Sequence, residues 1–274
     1  MKNVVLALVM VVFLSGFNGD KFLEKLGLKE IVTTVKEDRD GVTFLPNETK
    51  PFTGKYVEYF SNKKNKSDGH YKNGKMDGLN TAWYENGQKN IEATFIDGNR
   101  NGVSTEWFES GNKKVEGHYK NGKMDGINTT WYENGQKMSE FDFVNGNKNG
   151  AFTGWFEYGQ KQIEGHYKNG NEDGVISEWY ANGQKMSEVN FINGKKDGLN
   201  TAWYENGHKL FETNYKDGNR DGLEVRWRET GEKLMESNYK EGVLNGTTNL
   251  FNREGKKITQ LVYKDDALIN TTPN

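Results

Sequence analysis

Three histidines, His70, His118 and His166, are evenly spaced along the chain. Imidazoles at a fixed interval raise the question of a metal centre, since a zinc site gathers its ligands at about 2 Å from the ion. Asp or Asn followed by Gly recurs at half that interval, from Asp77-Gly78 to Asn245-Gly246. Oxygen-bearing loops of that kind raise the question of calcium. Lysine and glutamate recur in the same step, Lys89 to Lys257 and Glu92 to Glu236. All seven tryptophans, Trp83, Trp107, Trp131, Trp155, Trp179, Trp203 and Trp227, keep it as well. They offer aromatic surface for stacking or cation contact.

The spacing decides among these. If each 24-residue unit is two strands, the histidines are four strands apart, on the order of 19 Å, and one chain cannot close them on one ion. They read as solvent-facing residues. Each Asp-Gly loop offers one or two oxygens where calcium takes about 6–8, and Asp or Asn before Gly is turn chemistry. No Ser-His-Asp set, thiol or phosphate-binding loop is present. Carboxylates form a repeated ladder rather than a unique cleft, so no enzyme, metal or cofactor is expected. The residues left as candidate binding or structural groups are the seven tryptophans with Tyr84, Tyr132, Tyr180 and Tyr204, which follow four of them.

The elements that position them follow from the repeat. Units open on an aromatic: Tyr71, Phe95, Tyr119, Phe143, Tyr167, Phe191, Tyr215 and Tyr239, with Tyr263 beginning an incomplete one. Glycines three, seven and sixteen positions on account for 24 of the 33 in the chain. Asn86-Gly87, Asn134-Gly135, Asn182-Gly183 and Asn206-Gly207 predict two-residue hairpin turns. The segment from Tyr71 to Gly78, with two glycines, predicts a longer connection. Each unit is then one β-hairpin, and the expected fold is all-β: an elongated, open and twisted antiparallel meander of tandem hairpins, with a short N-terminal helix or cap. A two-residue turn at Asn86-Gly87 pairs Tyr84 with Lys89 and Trp83 with Asn90. One face then carries Trp83, Thr81, Leu79 and Glu92, and the other Tyr84, Ala82, Ile91, Ala93 and the opening aromatic. Successive tryptophans would be roughly 9–10 Å apart, beyond direct ring pairing. The series Asn90, Lys114, Met138, Gln162, Met186 and Leu210 is expected to fill the gaps. A second period, two units long, also shows in the histidines, in Met76 with Met124 and in Met138 with Met186.

Composition fits a thin repeat sheet. Only 33% of residues are apolar, yet 13% are aromatic, and mean hydropathy is −0.93. A net charge of −2 leaves no basic excess for phosphate neutralisation, which argues against a nucleic-acid partner. The absence of cysteine excludes a disulfide framework and thiol chemistry. Residues 1–19 read as a secretory signal: Lys2, an unbroken apolar run from Val4 to Leu14, then Ser15, Gly16 and Gly19. The run is too short to span a bilayer, and with Gly16 as the last residue removed, Leu14 sits where a small residue is preferred. Residues 20–46 read as a cap for the first edge of the array, 47–265 as the array of about nine units with degenerate ends, and 266–274 as a C-terminal tail.

The pattern Tyr71-x-Asn73-Gly74-x-x-Asp77-Gly78-x-x-x-x-Trp83-Tyr84-Glu85-Asn86-Gly87 resembles the MORN repeats, most closely their bacterial variant form. The lead-in from Phe44 to Gly54 resembles that of the same variant. The resemblance covers residues 44–265 and implies a non-catalytic protein that scaffolds, meets a membrane peripherally or binds partners. Many members carry an antitoxin label; the signal argues against it here, since the antitoxin of a cytoplasmic toxin should stay inside. The expected function is therefore an exported repeat protein, in the periplasm, at the cell surface or secreted, that presents a periodic β-surface to a protein or envelope component. The alternatives are an antitoxin-like neutralising protein, which requires residues 1–19 to be retained, and a glycan- or cell-wall-binding module.

Overall fold

A computed structural model describes residues 31–273. The expected signal and the start of the expected cap, with its short helix, lie outside the described residues. Those described form strands and turns and no helix. The chain divides into two units, the first ending at Asp125 and the second beginning at Gly126, and each is an antiparallel meander in which strands pair with their sequence neighbours.

In the first unit the hairpins run Gly54–Tyr59 with Asn65–Lys72, Lys75–Trp83 with Lys89–Ile96, and Asn99–Trp107 with Lys113–Lys120. Val32–Thr33 adds a parallel pairing to Lys55 and Tyr56. A small hairpin, Glu37–Arg39 with Val42–Phe44, docks through Thr43, whose N–H donates to the Gly74 carbonyl while its own carbonyl accepts from Phe52. Phe52, Val57, Tyr71 and Thr43 are buried there, and Phe52 and Tyr71 have their rings 5.9 Å apart. Sheet edges invite association unless covered, and residues 31–52 cover this one.

Charge holds that cover in place. The Thr43 hydroxyl, more than the Lys36 ammonium, keeps the Asp38 carboxyl below its ordinary range. Within the first meander hairpin a hydrogen bond from Lys66 lowers the Glu58 carboxyl in the same way. Groups with depressed folded pKa values contribute stability above their unfolded values and lose it as pH falls through the folded ones. The segment 36–44 is therefore expected to open first on acidification, starting below about pH 4. Amide exchange followed against pH checks this: exchange rising first in the meander strands would contradict it.

In the second unit the residues from Gly126 to Trp131 pair with Lys137–Val144. The meander continues through Asn147–Trp155, Lys161–Lys168, the broken strand Asn171–Glu172 and Gly174–Trp179, Lys185–Ile192, Lys195–Trp203, Lys209–Lys216, Asn219–Trp227, Lys233–Lys240, Val243–Phe251 and Lys257–Lys264. Ala267–Pro273, placed in a tail on sequence grounds, forms a further strand against Lys257–Lys264.

The two turn types are the reverse of the sequence expectation. Asn73 and Gly74 both have positive φ, 49° and 77°, and join Lys72 directly to Lys75. That is the two-residue turn whose twist suits a hairpin. Asn86-Gly87 belongs instead to a longer loop. The Gly87 N–H donates to the Tyr84 carbonyl, and the Tyr84 N–H to the Gln88 carbonyl. Only Gly87 is left-handed, at φ 95°. Asn86 has no need of positive φ because its side-chain oxygen accepts the Gln88 N–H at 2.9 Å, an Asx arrangement. Gly78 sits in neither loop. It lies within a strand at φ 113°, where the ladder steps from Tyr71–Met76 to Gly69–Asn80, a bulge only glycine accommodates readily.

Candidate functional site

The longer loop resets the register. Trp83 stands opposite Lys89, not Asn90, and the shift lies between Ala82 and Trp83. The same step recurs at Trp107–Lys113, Trp131–Lys137, Trp155–Lys161, Trp179–Lys185, Trp203–Lys209 and Trp227–Lys233. The invariant lysine, not the variable Asn90 series, therefore fills the gap between tryptophans. The Lys89 ammonium lies 5.5 Å from the Trp107 ring centre, and Lys137, Lys161, Lys185 and Lys209 hold the same relation to the next tryptophan. Each of these lysines is anchored by a glutamate on its own strand. Lys89 meets Glu92 at 2.5 Å and Lys137 meets Glu140 at 2.5 Å, and Lys185 with Glu188 and Lys209 with Glu212 repeat the pair. All seven tryptophans are half-buried. Over Trp107, Trp155, Trp179, Trp203 and Trp227 a lysine ammonium therefore occupies one ring face, a cation contact internal to the sheet.

The four tyrosines act along the sheet. Tyr84, Tyr132, Tyr180 and Tyr204 each donate a hydroxyl hydrogen bond to the backbone carbonyl of the next tryptophan, at 2.8–3.0 Å. Asn86, Asn134, Asn182 and Asn206 likewise donate to a carbonyl in the following loop. These contacts tie hairpin to hairpin along the loop edge. On the opposite edge Asp77 accepts the Asp97 N–H, and Asp197 accepts that of Asp217. The Asp-Gly residues thus hold the next tight turn. Tyr132→Phe, which leaves the ring and removes one such bond, is expected to cost about 1 kcal/mol, measured by denaturant unfolding. No loss would mean the hydroxyl is not a tie.

The two-unit period has a physical basis on the other face. Arg100 lies over Tyr119, Lys148 over Tyr167 and Lys196 over Tyr215, at 4.9–5.3 Å from the ring centres. Cations stand next to electron-rich Tyr rings in alternate hairpins, while methionine holds the same strand position at Met76 and Met124. The alternation ends at Arg220, which lies over Tyr239.

Trp83, Thr81, Leu79 and Glu92 share one face, as the sequence predicts. In each unit the corresponding face carries aliphatic residues absent from the sequence candidates. Leu79 and Val103 in the first unit, and Ile127, Val175, Leu199 and Leu223 in the second, are 43–52% exposed. Their only sequence signal is an aliphatic residue four before the tryptophan in most repeats. His70, His118 and His166 stand on the same face, opposite Lys55, Val103 and Ala151. Among the described residues no three His, Asp or Glu groups converge to hold a metal ion.

The family comparison fits this geometry. Residues 76–97, 100–121, 124–145, 172–193 and 196–217 match the family described as MORN repeat variant. The chain carries MORN-variant repeats. Each match runs from the start of a Trp-bearing strand to the next tight turn, so the MORN-variant unit is the hairpin whose ties are described above. No curated protein matches the chain.

Proposed function

We propose that this MORN-variant protein is a non-catalytic, exported binding protein whose tryptophan-bearing face meets a protein or cell-envelope component. The observation that carries the reading is the set of exposed aliphatic residues from Leu79 to Leu223, repeated in phase with the hairpins and set beside the Lys–Glu ladder. Exposed apolar surface gathered on one face of a soluble chain marks interaction sites. The apolar run Val4–Leu14 supports export. The lysine-covered tryptophans favour protein contact over a glycan platform. No helix of the described residues is long and apolar enough to cross a membrane. Fractionation with N-terminal mass measurement tests export. The expected result is a chain trimmed near residue 19 in an envelope or medium fraction; full-length chain confined to cytosol would overturn it. Binding to purified cell wall or a glycan panel would restore the glycan reading.

A further inference from the structure

Most of the array is periodic, so a site is best sought where the period breaks. One break lies in the second unit, beside Trp179. Phe156 replaces Tyr, Tyr158 replaces Asn and Ala181 replaces Glu at their repeat positions. A groove of about 470 Å³ lies here, lined by Phe156, Ile163, Glu178, Tyr180, Ala181 and Met186 among others. Glu178 faces Ile163 and Ser187 across the ladder. Its carboxylate accepts the Ser187 hydroxyl at 2.7 Å, and among the described residues no cation pairs with it. The adjacent lysines are engaged elsewhere, Lys161 with Glu164 and Lys185 with Glu188.

The chain contains its own comparisons. Glu58 and Glu106 hold the place of Glu178 in two earlier repeats. At the first, Phe60 stands for Tyr180, Ser67 for Ser187 and Lys66 for Met186. The Lys66 ammonium meets the Glu58 carboxylate at 2.6 Å, and the Ser67 hydroxyl donates to that carboxylate at 3.3 Å. At the second, Phe108 stands for Tyr180 and Lys114 for Met186. The Lys114 ammonium lies 5.9 Å from the Phe108 ring centre, on the strand that pairs Val115 with Glu106. Where glutamate and aromatic recur at Glu178 and Tyr180, the lysine is missing and methionine takes its place. The carboxylate and aromatic pair is built three times, and a lysine ammonium stands beside it twice, on the carboxylate at Glu58 and over the ring at Phe108.

We propose that the groove at Phe156, Glu178 and Tyr180 seats a lysine ammonium of a protein partner, as the equivalent places seat Lys66 and Lys114. A cation over an aromatic face beside a carboxylate is a favourable arrangement where water is partly excluded. Met186 supplies a soft, adaptable wall for the alkyl stem. This deepens the binding reading above and rests on it only for the ammonium arriving on a protein.

The test follows the Met186 methyl signal by NMR in the full chain during titration with N-acetyl-lysine methylamide, against N-acetyl-norleucine methylamide as the uncharged counterpart. The expected result is a saturable shift with the lysine compound and at least tenfold weaker binding of norleucine. Glu178→Gln is expected to weaken lysine binding by tenfold or more while the Met186 signal keeps its folded position. Equal binding of the two compounds, no shift, or an unchanged affinity in Glu178→Gln would overturn the proposal. Met186→Lys supplies the internal occupant, and Lys66 and Lys114 at the equivalent positions show that the fold accepts it. A native partner captured equally by this variant and by wild type would show that its lysine is not seated here, and the proposal fails while the wider binding reading stands. A partner lost from Met186→Lys alone supports it.

Discussion

Phe152→Ala is expected to destabilise the second unit by about 3 kcal/mol. Phe152 is 5% exposed, among the few large side chains so deeply buried in a sheet of largely half-buried residues. Its ring stacks on Phe141, centres 5.5 Å apart and planes within 5°, and meets Tyr167 at 5.0 Å. Gly165 makes the room: a Cβ there would fall 2.7 Å from the Phe152 ring and 2.8 Å from Ile176. Lys148 closes the cluster, 4.1 Å from the Phe141 ring centre. Truncation therefore removes the ring from its neighbours on the adjoining strands and leaves a gap that a hydrogen-bonded sheet cannot collapse. Denaturant unfolding of the single variant measures it. A loss under about 1 kcal/mol would mean the cluster packs loosely.

The second large effect is expected from removing both arginines around Glu224. This carboxylate is 2% exposed. Arg226 Nε donates to it at 2.6 Å and Arg220 Nη1 at 3.3 Å, and Arg220 also lies over the Tyr239 ring at 4.7 Å. Both arginines keep contact with water, so the pair of cations is cheap to place while the carboxylate is not. Arg220→Met with Arg226→Met strands a buried charge, and a loss of about 3 kcal/mol is expected. Adding Glu224→Thr is expected to recover most of it, because Thr248 holds the equivalent position in the next repeat and is itself buried. No recovery would show that the arginines act by packing alone.

These sites were legible in the sequence to different degrees, for physical reasons. The hairpin repeat was plain, since Trp at a fixed phase and Gly at three others leave few alternatives. The division of residues between faces was also plain, because alternation along Leu79, Thr81 and Trp83 survives the exchange of turn types. The turn itself was not. Asn-Gly occurs in both loops, and whether Asn73 or Asn86 takes positive φ depends on a hydrogen bond from the Gln88 N–H to the Asn86 side chain. That one difference moved Lys89 opposite Trp83 and made the lysine, rather than Asn90, the filler of the ladder. The exposed aliphatic residues from Leu79 to Leu223 were equally hidden. An aliphatic residue in a strand reads as core until the described residues are seen to place no layer over it. The aromatic contacts of Arg100, Lys148 and Lys196 depend on the opening tyrosine of the following repeat, which spacing alone does not pair.

The most direct measurement of the central claim is a comparison of partner capture from the native cell, after fractionation, by the wild-type chain and by a variant with Val175→Lys, Leu199→Lys and Leu223→Lys. These side chains already face solvent, so folding and the tryptophan fluorescence of the ladder are expected to be retained. The expected result is a specific partner in an envelope or medium fraction that binds wild type and is lost from the variant. A partner held equally by both, or found only with full-length chain in the cytosol, would contradict it.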